Sequence, residues 1–257
     1  MDDQPTTNLD APPAPRTEPD EPGQPDASEP GYRPPRWSWF VLGGLAVAAI
    51  AFAAVLSDPD LLFEDDFSGS GPLGRWLEDE NSSGSMRYEE ETYHVGVAQQ
   101  GEMISVAELP SRQEAIQVEV DAEMVSGTGG LSVLCMADAG GVSDNEIQAV
   151  NDQAEYYDFF VFFAEGAVAI LRSDELDAPL AVASTGMLRD GMNRVEVGCT
   201  GASGDDPAML TLTINGTSVL EHEDPGGSDS FSAVGLTVYG VDGPAEAAFD
   251  NLEVSAL

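Results

Sequence analysis

The sequence lacks lysine altogether and is poor in basic residues of any kind. Its 257 residues include nine arginines against 47 aspartates and glutamates, which gives a formal net charge of −38. Because nucleic acids and anionic lipid surfaces are bound through basic footprints, this balance excludes nucleic acid as the main partner and argues against docking on an anionic lipid surface. Hydrophobic residues still make up 42% of the chain, so most of it has the composition of a folded protein.

Cysteine and histidine are also scarce. The two cysteines, Cys135 and Cys199, are too few for a disulfide-rich scaffold, and no CxxC pair or cysteine–histidine cluster with zinc-ligand spacing occurs. The two histidines, His94 and His222, belong to no serine–histidine–aspartate pattern and no HExxH motif. We therefore interpret both histidines as structural or surface residues.

Residues 1–36 contain 10 of the 17 prolines and almost no large apolar side chain. Their eight acids and three arginines give this segment a net charge of −5. Such a segment cannot bury enough apolar surface to offset the entropy lost on ordering. We expect a disordered, acidic, proline-rich tail, which acts as a solvated spacer or as a docking peptide for a partner that reads proline-rich sequences.

Residues 37–56, WSWFVLGGLAVAAIAFAAVL, form a run of twenty residues without a charge. As a helix this run would reach about 30 Å, the thickness of the hydrocarbon core of a bilayer. Arginines precede it and acids follow it, so the positive-inside rule predicts a single-pass anchor in the cell membrane, with 1–36 in the cytoplasm and 57–257 extracytoplasmic. A cleavable signal peptide is the alternative, because Ala51 to Ala53 have the small-x-small pattern of a cleavage site.

Apolar and polar residues alternate through most of residues 57–257, which is the period of a β-strand. The alternation is clearest over 116–124 and 210–214, and Asn215-Gly216 separates two alternating runs as a two-residue hairpin turn does, with positive φ at both positions. Further runs lie near 86–97, 103–109, 130–137, 156–163, 166–172, 179–184, 233–239 and 246–254. About a dozen short strands without a long helix predict an all-β fold, a two-sheet antiparallel jelly-roll sandwich.

The order of several motifs resembles that of laminin-G-like, concanavalin A-like jelly-roll domains of bacterial surface proteins. The opening LFEDDFSGSGPLGRW, which ends at Trp76, is similar to the first strand and turn of such domains. The segments LSVLCMADAGG, AEYYDFFVFFAEGAVAILR, NRVEVGCTG, LTLTINGTSVL and AAFDNLEV follow in the family's order. The resemblance covers nearly all of residues 61–257 and implies a fold rather than a reaction, because such domains include adhesion modules, sugar-binding modules and glycosidase-like enzymes.

The resemblance extends to Cys135 and Cys199, which match positions that hold cysteines in similar domains. It implies a disulfide, which the oxidising environment outside the membrane would favour. Closing a loop of roughly 65 residues would stabilise the fold by about 4 kcal/mol in the chain-entropy description. Two buried free thiols are the alternative.

Residues 119–123 resemble the Glu-x-Asp-x-Glu strand of laminarinase- and lichenase-type glycoside hydrolases. The resemblance implies Glu119 as the nucleophile, Asp121 as the assisting carboxylate and Glu123 as the acid/base, all on one face of a strand. In so acidic a chain about one such match is expected by chance, and those enzymes line their cleft with several tryptophans, whereas residues 57–257 contain only Trp76. We therefore expect no catalysis and keep a membrane-tethered hydrolase as the alternative.

Aromatic residues are concentrated over residues 156–163. Because side chains alternate between the faces of a strand, these rings cannot all lie in a core if one face meets water. Some of them can then stack on a sugar ring or contact another ligand. We predict Tyr156, Tyr157 and Trp76 as ligand-binding residues.

A structural calcium ion is the one cofactor that the sequence suggests. Asp65 and Asp66 lie near the first strand and Asp250 near the last, so they meet if the two ends of the sandwich pair. Carboxylate oxygens of this kind suit Ca²⁺. An acidic domain also carries many carboxylates that are simply solvated.

These patterns together predict a membrane-anchored extracytoplasmic recognition module that binds a glycan or protein ligand without catalysis. A sensory ectodomain that signals to the proline-rich tail is a further alternative beside the hydrolase. Residues 57–257 carry a net charge of −33. Together with the absence of lysine, this charge predicts adaptation to salt, which screens self-repulsion.

Overall fold

The computed structural model describes residues 60–68, 76–138, 154–175 and 178–257. Within these ranges the chain forms thirteen strands, all paired antiparallel. They are β1 (Asp60–Asp65), β2 (Asp79–Glu80), β3 (Gly84–Glu89), β4 (Thr92–Val97), β5 (Gly101–Gln113), β6 (Ala115–Asp138), β7 (Glu155–Phe162), β8 (Ala167–Arg172), β9 (Ala181–Ser184), β10 (Asn193–Thr200), β11 (Ala208–Ile214), β12 (Thr217–Asp224) and β13 (Phe231–Ala256). The predicted all-β antiparallel architecture is confirmed.

The predicted tail (1–36) and membrane helix (37–56) lie outside the described residues. Across the ranges that the structure does describe, no helix is long and apolar enough to span a membrane.

Two layers of strands share the two longest strands, β6 and β13. One layer, which we call sheet A, has the order β12-β11-β10-β6-β13-β4-β3-β2, with β1 also paired to the end of β13. The other layer, sheet B, has the order β9-β8-β7-β6-β13-β5. The first half of β6 and the second half of β13 lie in sheet A, and their other halves lie in sheet B.

Each shared strand covers two alternating runs that the sequence analysis listed separately. The runs 116–124 and 130–137 are both parts of β6, and 233–239 and 246–254 are both parts of β13. The strands cross between the layers near Gly127, whose φ of 87° belongs to the left-handed region. A Cβ at this position would collide with the backbone of Pro244 and Ala245, so a glycine is needed where the two shared strands approach each other.

The core lies between the two sheets. Alternate residues of both layers point inward and form one contiguous cluster. Sheet A contributes Val118, Val120, Val195, Val197, Leu210 and Leu212, and sheet B contributes Val133, Phe159, Val161, Val168, Leu236 and Val238. Ile116 to Ala122 show the predicted pattern directly, because every second residue is fully buried.

The predicted disulfide is confirmed, since Cys135 and Cys199 are bonded with their Cα atoms 6.6 Å apart. Cys135 lies in the part of β6 that belongs to sheet B, and Cys199 lies on β10 in sheet A. The bond therefore joins the two layers through the core. The predicted hairpin is also present: Asn215 and Gly216 have φ of 51° and 76°, and they connect β11 to β12.

Candidate ligand-binding face of sheet B

Alternation along β7 separates its aromatic residues into two sets. Tyr157 and Phe159 point into the core and are 1% and 0% exposed. Tyr156, Phe160 and Phe162 point to the opposite side, which we call the outer face of sheet B. Both sides of β7 are thus rich in aromatic rings, as the run of tyrosine and phenylalanine in the sequence requires.

The strand register brings polar residues of three neighbouring strands together on this outer face. Ser132 on β6 is directly opposite Phe160 on β7 and Thr237 on β13. Asp158 is opposite Leu134, two residues further along β6. Residues opposite one another in a ladder share a face, so Ser132, Asp158 and Thr237 form one polar group on this surface.

Each member of this polar group has a buried atom without a partner. Ser132, Asp158 and Thr237 are 0%, 8% and 1% exposed. Ser132 Oγ, Asp158 Oδ1 and Thr237 Oγ1 accept or donate no hydrogen bond of acceptable geometry in the part of the chain that the structure describes. Each such atom costs about 1–3 kcal/mol of stability, which makes the concentration of three at one place a feature that calls for an explanation.

Burial also makes the Asp158 carboxyl harder to ionise. It raises the pKa of this carboxyl from 3.8 to about 7, the nearby Ser132 hydroxyl partly opposes the shift, and the charge of Glu102 adds to it. Part of the Glu102 side chain is exposed, yet neighbouring groups desolvate its carboxyl and raise its pKa as well. Burial, together with Glu102 and Asp158, raises the pKa of Tyr156 to about 12.

Aromatic rings border the polar group on one side. Phe160 stacks on Phe162 with ring centroids 4.2 Å apart, and Tyr239 meets Phe160 edge-on at 5.9 Å. Gly130 makes room for this cluster, because a Cβ there would collide with the Phe160 ring. Phe162 and Tyr239 are only partly buried, so the cluster offers apolar ring surface beside the unpartnered hydroxyl and carboxyl groups.

The three predicted ligand-binding aromatics occupy different places. Tyr156 is 9% exposed and lies on the outer face of sheet B. Tyr157 points into the core, where its hydroxyl donates to Asp224 Oδ2 at 2.9 Å. Trp76 is 2% exposed and packs against Tyr93 at 5.7 Å, within the core cluster between the two sheets.

Neither Ser132 nor Thr237 belongs to a recognisable sequence motif. The only sequence signal was a polar residue inside a buried run, serine in LSVLCM and threonine in VGLTVY. That signal is common in strands, because small hydroxyl residues are tolerated there. Only the register between β6, β7 and β13 shows that the two hydroxyls lie beside Asp158.

The predicted catalytic residues lie on sheet A instead. Glu119, Asp121 and Glu123 share the face of β6 that points away from the core, as predicted. Arg194 donates to Glu119 Oε2 at 2.7 Å and lies 3.6 Å from Asp121 Oδ1. Asn251 donates to Asp121 Oδ2 at 3.0 Å. Two of the three carboxylates, those of Glu119 and Asp121, are therefore already bound by neighbouring side chains.

A row of four glutamates crosses the outer face of sheet A. The register places Glu196, Glu119, Glu253 and Glu64 opposite one another on β10, β6, β13 and β1. Burial and the charge of Glu119 raise the pKa of Glu196. Like charges directly opposite each other in a ladder are destabilising, so this row concentrates electrostatic repulsion in the middle of the sheet.

Of the residues predicted to bind calcium, Asp65 and Asp66 follow Glu64 at the end of this row, whereas Asp250 lies on β13 opposite Asp121. Pairing of β1 with β13 does bring the two ends of the described domain together, and Asp65 and Asp66 help to line a cavity of about 510 Å³ that Arg194 also borders. Asp65 Oδ1 accepts a hydrogen bond from the Phe67 amide at 2.9 Å, and Asp250 Oδ1 accepts one from the Asn251 amide at 2.7 Å. No group of three or more acidic, histidine or cysteine side chains suited to a metal occurs among residues 60–68, 76–138, 154–175 and 178–257.

No protein-family model and no curated protein matches the sequence. Solved structures do match the fold. A protein from Bacillus subtilis described as having a galectin-like fold aligns with 77% of this chain and 97% of its own length, at a TM-score of 0.58 and 14% identity. The described domain has a galectin-like jelly-roll fold.

Two further structures show the range of proteins that share this jelly roll. A non-specific endo-β-1,3(4)-glucanase of family GH16 aligns at a TM-score of 0.54 and 14% identity, over 78% of this chain and 96% of that one. The carbohydrate recognition domain of Emp47p aligns at 0.53 and 12%, over 79% and 99%. At such identities the likeness establishes the fold, and function has to be argued from the site.

Proposed function

We propose that this protein is a glycan-binding module whose ligand lies on the outer face of sheet B. The observation that carries the proposal is the group of three buried, unpartnered polar atoms on Ser132, Asp158 and Thr237 beside the rings of Phe160 and Phe162. Proteins with a similar fold include a carbohydrate recognition domain and a glucanase, which supports a carbohydrate ligand.

Sugar chemistry fits this combination of groups. A sugar ring carries hydroxyls that both donate and accept hydrogen bonds, so it can satisfy serine and threonine hydroxyls and a carboxyl at the same time. Its C–H surface packs on apolar and aromatic side chains, as in binding sites that combine a mostly apolar lining with a few polar groups. Bound ligand would therefore recover the stability that the three unpartnered atoms cost the free protein.

Replacing Thr237 by valine separates binding from folding. The substitution keeps the shape and removes a buried, unpartnered hydroxyl, so we expect the unfolding free energy to stay level or rise by about 1 kcal/mol. Glycan affinity should fall at the same time, by about fivefold to tenfold for one lost hydrogen bond. The measurements are denaturant unfolding and binding of the full chain to a glycan array, followed by titration with the best glycan.

Thr213→Val is the matched control, because it makes the same change on the outer face of sheet A. It should leave glycan binding unchanged. Absence of binding to every glycan on the array would rule out the proposed function. Equal binding by wild type and the Thr237→Val and Ser132→Ala variants would place the ligand elsewhere on the molecule.

We further propose that the module is displayed on the outside of a cell membrane. The support is the uncharged run over residues 37–56 and the arginines that precede it. The disulfide between Cys135 and Cys199 agrees with an oxidising compartment. Protease treatment of intact cells should remove the domain while leaving a protected fragment that contains residues 1–36.

A second candidate function is glycoside hydrolysis by the strand 119–123. It is favoured by the common orientation of Glu119, Asp121 and Glu123 away from the core. The required assay is release of reducing ends from a panel of β-glucans, with Glu119→Gln as the inactive variant. Hydrolysis that survives this substitution, or no hydrolysis by the wild type, would eliminate this function without affecting the binding proposal.

A further inference from the structure

We infer that His94 fastens the turn between β3 and β4 only while its imidazole ring is protonated, which makes this hairpin a pH-sensitive element of the fold. His94 lies on the outer face of sheet A, because its neighbours Tyr93 and Val95 point into the core. The inference therefore concerns a different face from the proposed glycan site and does not depend on it.

A chain of short contacts runs from β13 through His94 to the turn. Glu246 Oε1 lies 2.7 Å from His94 Nδ1, and His94 Nε2 lies 2.8 Å from Thr92 Oγ1. The Thr92 hydroxyl donates to the carbonyl oxygen of Glu89 at 2.6 Å. The His94 side chain is only 13% exposed, so water has little access to replace these partners.

The three contacts are complete only when both ring nitrogens carry a proton. Glu246 Oε1 also accepts from Arg87 Nη2 at 2.6 Å, as an ionised carboxylate does, so His94 Nδ1 has to donate to it. A carbonyl oxygen cannot donate, so the single proton of the Thr92 hydroxyl is committed to Glu89. Thr92 Oγ1 then has to accept from His94 Nε2, and the ring is an imidazolium.

A neutral imidazole has one N–H and cannot complete the chain. The hydrogen bond to Glu246 is the one it keeps, because a charged acceptor makes the stronger bond. Its Nε2 is then an acceptor, and the Thr92 hydroxyl can donate either to the ring or to Glu89. Either choice breaks the link between the ring and the turn.

The turn itself needs this support. Glu90 and Glu91 connect the strands with φ of 51° and 67°, a left-handed conformation that L-residues adopt at an energetic cost. Three consecutive glutamates, 89–91, also repel one another. The β11–β12 turn uses Asn215 and Gly216 at the corresponding positions, which suit this conformation better.

The charges around the ring favour the same arrangement. Arg87 and Glu89 face it from β3, Glu246 faces it from β13, and Glu123 on β6 lies further along the same face. Arg87 binds both Glu89 and Glu246. The pKa of Glu89 is lowered mainly by its hydrogen bond with Arg87 and further by the charge of His94. Loss of the ring's proton therefore leaves negative charge in excess beside the turn.

Hydrogen exchange of residues 89–92 tests the inference on the full chain. Histidine side chains titrate between about pH 5 and about pH 8, so the turn should open more often at the upper limit. We expect its protection factor, which corrects for the intrinsic effect of pH on exchange, to fall by about fivefold to tenfold between about pH 5.5 and about pH 8, as loss of one hydrogen bond predicts. Mass spectrometry of the exchanged protein gives this value.

Thr92→Val removes the hydroxyl and keeps the shape of the side chain, so the turn should show low protection at both pH values. Thr217→Val is the matched control, because Thr217 is likewise the first strand residue after a two-residue turn; it should keep the wild-type response. Both variants retain every titrating group, so the difference between them isolates the link to His94. His94→Gln should also give protection that does not change with pH.

Nitrogen-15 spectra of the ring report the protons directly. At about pH 5.5, where histidine is largely charged, His94 should show solvent-protected N–H groups at both ring nitrogens, and Thr92→Val should lose the one at Nε2. A protected N–H at Nδ1 alone in the wild type would overturn the inference. An equal pH response of the turn in the wild type and Thr92→Val, or no response in the wild type, would overturn it as well.

Discussion

Asp158 is a single residue that should make stability depend on pH. Its pKa is about 7 in the folded protein and 3.8 as the ordinary value, because burial penalises the charged form. Between these two values the folded protein keeps a proton that the unfolded chain has lost. The contribution of this carboxyl to stability is therefore complete below about pH 4 and is lost as the pH rises through about 7.

Asp158→Asn should remove this dependence. Asparagine stays neutral, so the variant should gain unfolding free energy relative to wild type as the pH rises, by about 2–4 kcal/mol at pH values above 7. Denaturant unfolding of both proteins at several pH values between about 4 and 8 measures the difference. A difference that does not change with pH would show that Asp158 ionises in the folded state as freely as in the unfolded chain.

At the scale of elements, the β11–β12 hairpin depends on two residues with positive φ. Gly216 has φ of 76°, and an added Cβ would meet no atom within 4 Å. Its substitution by alanine therefore costs only conformational energy. Asn215 reinforces the turn, because its side chain donates to Met187 O at 2.8 Å and accepts from the Arg194 amide.

Gly216→Ala should destabilise the fold by about 1–2 kcal/mol, which is the cost of a left-handed conformation for an L-residue. Gly186→Ala is the control, because that glycine has open space around it and a φ outside the left-handed region. Unfolding in denaturant should shift for the first variant and not for the second. Equal effects would mean that the turn adopts another conformation in solution.

Most strands could be predicted from the sequence, because alternation over stretches such as 116–122 and 210–214 marks one buried face. The hairpin at Asn215-Gly216 was predictable for a local reason, positive φ, and the disulfide through a family resemblance. The continuity of β6 and β13 across both layers was not predictable. Ser126 to Gly130 interrupt the alternation, and only the pairing with β13 shows that the strand continues there.

The candidate site was predictable only in part for a similar reason. The aromatic run pointed to β7 and to Tyr156, but burial of Trp76 and Tyr157 depends on packing between distant segments. Ser132 and Thr237 are 105 positions apart in the sequence, and their proximity comes from antiparallel register alone. A single sequence contains no signal for that register between β6 and β13.

At the scale of the whole molecule, net charge sets the conditions under which the fold is stable. The chain carries a formal charge of −38, and the register places Glu64, Glu119, Glu196 and Glu253 in one row across sheet A. Arg194 offsets part of this row through Glu119. The repulsion that remains is of the kind that salt screens, because these carboxylates lie on an outer face.

The melting temperature should therefore rise between about 50 mM and about 2 M NaCl, over which screening becomes nearly complete. Glu253→Gln should raise stability at low salt and reduce the salt dependence, since it takes one charge out of the row. Glu165→Gln, at an exposed turn, serves as the control and should do neither. Equal melting of the wild type at both salt concentrations would contradict the expectation.

The central position of β13 has a consequence for synthesis on the ribosome. This strand pairs with β1, β4, β5 and β6, so neither layer can close before residues 231–256 have left the exit tunnel. Until then the nascent chain holds strands with open edges, which are prone to pair with other chains and attract chaperones. The acidic residues at alternate positions keep such neighbouring nascent chains apart during this interval.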